Sequence, residues 1–105
     1  MSITHRINAV LERERTLTGD ILVENGWRKT KDLNFVTEYE KDVKGHPCIV
    51  SIYPSGDGAT RTNIFWQESE SVKIDVWKSS FSLADANAIF SVYNLPHICP
   101  SCQSR

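Results

Sequence analysis

Residues 72–77 read Val-Lys-Ile-Asp-Val-Trp, and this strict alternation constrains the chain more than any other feature. Val72, Ile74 and Val76 fall on one side, and Lys73, Asp75 and Trp77 on the other. A period of two is that of a β-strand with one buried face; a helix would spread the same residues around its axis. Two runs upstream share this character: Cys-Ile-Val-Ser-Ile-Tyr at 48–53 and Thr-Asn-Ile-Phe-Trp-Gln at 62–67. Their β-branched and aromatic residues suit a pleated surface. A Gly-rich break at 54–61 and a polar turn at 67–71 separate the three runs. Short breaks between strands predict an antiparallel meander, one face of which the rest of the chain must cover.

Upstream, Ile3, Ile7, Val10 and Leu11 recur at helical spacing, and Leu17, Ile21 and Leu22 continue the stripe. Thr16, Thr18 and Gly19 weaken the helix locally, so the pattern fits one bent helix or two shorter ones, with Thr18 capping the second. Asn25 and Gly26 end it. Residues 27–31 predict a short strand, 32–34 a turn, and 35–41 a second strand. The segment 42–47 reads as a turn, with Gly45 able to take positive φ and Pro47 unsuited to a central ladder. Downstream, Ser82 and Asp85 form a capping-box-like start to a helix carrying Leu83, Ala86, Ile89, Phe90 and Tyr93, which Asn94 and Pro96 end. The expected fold class is α+β: an N-terminal helix, an antiparallel sheet of four to five strands, and a C-terminal helix packed on one face. The expected organisation is one domain over 1–95 and a Cys/His tail over 96–105.

Composition sets the function classes. At 105 residues the chain holds one core, and with 40% hydrophobic and 24% charged residues it is too apolar for a disordered segment. A net charge of −1 argues against a dedicated nucleic-acid binder, whose affinity rests on neutralising phosphates. No apolar h-region or membrane-length run occurs, so no membrane association is expected. Three cysteines cannot all pair within one chain, which fits reduced thiols and a cytoplasmic location.

The tail carries the one motif-like pattern, His97-x-Cys99-x-x-Cys102. Two thiolates two residues apart make a half-site for zinc, with His97 as a third ligand. The fourth would come from Cys48, His46, His5 or a second chain, and the competing reading leaves the tail without metal. Cys48 leads a buried strand, so a core position competes with its role as a ligand. A thioredoxin-type site is rejected, because only three residues follow Cys102 and no helix can begin there. The glycines at 56 and 58 match no phosphate-binding pattern. No hydrolase motif occurs, and the pairs Glu12 with Glu14 and Glu38 with Glu40 read as solvated faces, so no enzyme is expected.

If Val72, Ile74 and Val76 face the helices, then Trp77 faces away. The matching outer set is Tyr53 and Phe65, while Val50, Ile52, Ile64 and Trp66 face the helices. An aromatic stripe of Tyr53, Phe65 and Trp77 suits a protein partner or stacked bases, unless the first helix or the tail covers it. Glu38, Glu40 and Asp75 on the same face would repel phosphates. The first expectation is therefore a small non-enzymatic protein-binding factor, a regulator or inhibitor. Small stand-alone inhibitors of viral or mobile-element origin share this size. A homodimer through a free face or edge strand is a further expectation. The alternative is a nucleic-acid-binding module using Arg28, Lys29 and Lys31, with an optional zinc tail.

Overall fold

The computed structural model describes residues 15–54 and 59–99. Within them lie helix α1 (Gly19–Glu24), strands β1 (Arg28–Leu33), β2 (Val36–Val43), β3 (His46–Pro54), β4 (Thr60–Gln67) and β5 (Lys73–Ser79), and helix α2 (Leu83–Val92). The five strands form one open antiparallel sheet in the order β1-β2-β3-β4-β5. Every strand pairs with its sequence neighbour, so the fold is the expected α+β meander. The stripe at Ile3, Ile7, Val10 and Leu11 lies outside the described residues.

The inner face carries Tyr39 from β2, Cys48 and Val50 from β3, Ile64 and Trp66 from β4, and Ile74 from β5. All are buried in one cluster with Ile21 and Leu22 of α1 and Leu83, Ala86 and Phe90 of α2. Val72 and Val76 pack against the same cluster, as their alternation predicts. Thr62 also faces inward and is fully buried, and among the described residues its hydroxyl has no hydrogen-bond partner.

Both helices are short, and their ends are closed by the same device. Thr18 caps α1 by accepting from the Ile21 amide, and Ser82 caps α2 by accepting from the Asp85 amide. At the other end, Gly26 (φ 91°) and Asn94 (φ 58°) take left-handed backbone. The Trp27 amide then donates to the Leu22 carbonyl and the Leu95 amide to the Phe90 carbonyl, at 3.0 and 2.9 Å. These are Schellman closures, and each brings its paired apolar residues into the core. Segment 15–17 joins the front of α2: Leu17 donates to the Phe81 carbonyl and Leu83 to the Arg15 carbonyl.

Three local expectations shift. The first hairpin turn sits at Asn34 and Phe35, not at 32–34, because Leu33 pairs with Val36. This turn leaves Phe35 exposed. The next turn is only Lys44 and Gly45, both at positive φ, which is the two-residue geometry that matches strand twist. Pro47 therefore lies inside β3, the central strand, opposite Asp42. It is tolerated there because the Val43–His46 pair closes the hairpin, which turns the Pro47 nitrogen away from β2. The ladder with β4 begins only at Cys48 and Trp66, so the missing N–H falls at its end.

Gly19 is required by close approach: a Cβ there would collide with the Tyr39 hydroxyl. Alanine normally improves a helix by about 1 kcal/mol over glycine. Here Gly19→Ala is expected to lower stability by about 1–3 kcal/mol in urea unfolding, the range for overpacking, and adding Tyr39→Phe recovers part of the loss. Equal or higher stability of Gly19→Ala would refute the contact.

Asp85, in the first turn of α2, is held below the ordinary carboxylate range by a hydrogen bond from Lys78 of β5 and by that residue's charge. A carboxyl depressed in the folded state stabilises above its unfolded pKa of about 4, and the contribution is lost as pH falls through the folded value. The stability difference between the native chain and Asp85→Asn is thus expected at neutral pH and to shrink in acid. A difference that grows in acid would contradict the assignment.

Candidate functional site

The outer face of the sheet is set by register. Ile49, Ser51 and Tyr53 of β3 lie across from Phe65, Asn63 and Arg61 of β4, which lie across from Asp75, Trp77 and Ser79 of β5. Tyr53, Phe65 and Trp77 therefore share one face, opposite the side on which both helices pack. Val36 and Ser51 on this face are buried, Tyr53 and Phe65 are half-buried, and Trp77 is 46% exposed.

The three aromatics are not one continuous stripe. Tyr53 and Trp77 reach across β4 to each other, with ring centroids 5.5 Å apart and planes at 35°. Phe65 lies one row along, between Ile49 and Asp75. Arg61 completes the pair, its guanidinium 5.0 Å from the centroid of the Trp77 ring. This residue was not among the sequence candidates. The signal for it was present, since positions 61, 63 and 65 alternate with the inward set 62, 64 and 66. Asn63 beneath the rings donates to the Asp75 carboxylate at 3.0 Å and to the Val76 carbonyl.

Arg28 and Lys31 lie on the edge strand β1, across from Glu40 and Glu38, with ion-pair distances of 3.6 and 3.7 Å. Lys29 pairs with Asp32 at 3.5 Å. Such exposed pairs contribute at most about 1 kcal/mol each to stability. Their larger effect is local: each of the three basic candidates stands beside a carboxylate.

The zinc candidates are placed apart in character. Cys48 is fully buried on the inner face, and burial pushes its thiol up to about 12. It packs within the core cluster, as the competing core reading has it. His97 is exposed and its Nε2 lies 2.6 Å from the Ser91 hydroxyl. Cys99 is an exposed free thiol, and Cys102 lies outside the described residues. Among the described residues no three His, Cys, Asp or Glu side chains are grouped to hold a metal ion. The Ser91–His97 pair invites comparison with a nucleophilic dyad. Among the described residues no carboxylate pairs with the other ring nitrogen, so the third member of a Ser-His-Asp arrangement is not seen there.

Up to Cys99 the tail is strapped to the helices. The Asn87 side chain donates to the Ile98 carbonyl and accepts from the Ile98 amide, at 2.9 and 2.7 Å. Asn25 does the same for Cys99, at 3.0 and 2.9 Å. Leu95 and Ile98 are buried in the core cluster. Sequence reasoning missed this strap, because an asparagine in a helix or at its end does not show which backbone its amide meets.

Among the described residues no helix is long and apolar enough to cross a membrane. In a Cys102→Ser background, a thiol-specific reagent is expected to modify Cys99 in the native protein and Cys48 only after unfolding. Rapid modification of both in the native state would show that Cys48 is accessible.

The chain matches no family model, no curated protein and no solved structure.

Proposed function

We propose that this chain is a non-enzymatic protein-binding factor, a small regulator or inhibitor that acts through the outer face of its sheet. The observation that carries the reading is the Tyr53–Trp77 ring pair under Arg61, on the face opposite both described helices. Aromatic residues and arginine are enriched where protein interfaces draw their energy. A rigid exposed Trp serves as an anchor because little side-chain entropy is lost when it is covered. Tyr53, Phe65 and Trp77 are the binding residues in this reading.

A nucleic-acid reading ranks lower because Arg28, Lys29 and Lys31 are each paired with an acid. Phosphates would compete with Glu38, Glu40 and Asp32 for those cations. The odd number of cysteines fits the reducing, cytoplasmic setting that belongs to this reading. No cofactor enters the proposal. A homodimer through the same face or the β5 edge belongs to it as a second use of the surface.

The test is alanine substitution of Tyr53, Phe65 and Trp77, each variant shown to be folded by circular dichroism. Each is used with the native chain to capture partners from source-cell lysate, with and without nuclease. A protein partner that survives nuclease and is lost about tenfold or more with Trp77→Ala is expected. Equal recovery by all three variants, or recovery of nucleic acid alone, would overturn the proposal.

A further inference from the structure

Arg61 differs from Arg28, Lys31 and Lys78 in what holds it. Arg28 and Lys31 each lie beside a carboxylate across the strand. Lys78, on the opposite side of β5, is held by Asp85 at 2.9 Å. Arg61 instead lies over an aromatic ring, and among the described residues no acid pairs with it. A guanidinium stacked on indole keeps its charge, and its N–H groups point outward in the guanidinium plane. Tyr53, from β3, meets the same indole with ring centroids 5.5 Å apart.

We infer that Arg61, stacked on Trp77, is a carboxylate-recognising fork, and that the partner segment docking on this face carries an acidic side chain beside an apolar one. This inference rests on the outer face being the protein-binding surface, and it names the chemistry of what binds there. Charge complementarity supports it. The fork would receive the carboxylate in two parallel N–H···O bonds, while the apolar neighbour covers the exposed part of Trp77 or Phe65. A phosphate would suit the guanidinium equally, but Asp75 lies on the same face, bonded to Asn63, and next along the strand from Trp77 on that face. A polyanion running along the face would meet that charge, whereas a single carboxylate at Arg61 would not.

The test uses the whole chain and three labelled probes: a short peptide with one glutamate flanked by valine and phenylalanine, its glutamine counterpart, and a short oligothymidylate. Binding is followed by fluorescence anisotropy and by NMR of the Arg61 side-chain Nε–H and the Trp77 indole N–H. The acidic peptide is expected to bind about tenfold or more tightly than the glutamine peptide and to shift both signals. Arg61→Gln is expected to remove that preference, and Arg61→Lys to retain part of it, since the charge stays and the fork is lost. No preference for the acidic peptide, or an unchanged preference in Arg61→Gln, would overturn the inference. Tighter binding of oligothymidylate would overturn it in favour of a phosphate ligand. If Trp77→Ala abolishes capture of the lysate partner while Arg61→Gln does not, the binding face stands and the carboxylate fork falls.

Discussion

Trp66 is where the parts of this molecule meet. It sits on the inner face of β4, almost wholly buried, and its indole N–H donates to the Val43 carbonyl at 3.1 Å. A buried indole N–H without a partner would be costly, so the β2–β3 hairpin end is tied to β4 by chemistry and not by packing alone. The same ring meets His46 and Tyr93 edge-on, with centroids 6.3 and 6.2 Å apart. Tyr93 in turn donates to the Lys73 carbonyl on β5. One side chain thus links the second, third, fourth and fifth strands to the end of the last helix. Among the described residues, the helices of six and ten residues pack on the face that carries this ring. The identity of the outer face, and so of the candidate site, follows from it.

The inner and outer faces were legible because period-two patterning survives wherever one side of a strand is buried. Ile74 and Trp66 declare their side by alternation, and Trp77, Phe65 and Tyr53 then fall on the other. What alternation does not reveal is where a hairpin turns. Phe35 reads as a strand residue by type, yet it occupies a turn, because the Leu33–Val36 pairing is set by the ladder and not by hydrophobicity. Pro47 reads as a turn residue, yet it lies in the central strand, because only the ladder's end shows which way its nitrogen points. The strap of Asn25 and Asn87 was hidden for a similar reason. Its bonds join residues 74 and 11 apart, and no local pattern encodes the partner. Arg61 was overlooked because a charged residue on an outer face reads as solvation until a ring is found beneath it.

The candidate site reverses the usual economy of a sheet surface. Between β1 and β2 the outer-face charges lie in short-range pairs across neighbouring strands. At the corner formed by Tyr53, Arg61 and Trp77 the pairing is between a cation and rings. Such a contact leaves both its charge and its apolar area available to a third group. The edge strand β1 lacks this property: its six residues are exposed, it is rich in charge, and its register shifts between Lys29 and Lys31. Irregular, charged edges resist pairing with other strands.

The strap also bears on the order in which the molecule assembles. Every strand pairs with its neighbour, so the meander closes through short loops, and low contact order favours fast folding. The clasp between Asn25 and Cys99 joins residues 74 positions apart and is a late event in such a scheme. Ordering residues 95–99 costs about 5–10 kcal/mol of backbone entropy. Burying Leu95 and Ile98 and forming the asparagine bonds returns about the same amount. A segment so evenly balanced opens by itself, without unfolding the sheet, as a separate cooperative unit. The chain end that carries Cys99 would then show amide exchange far faster than the strands of the meander.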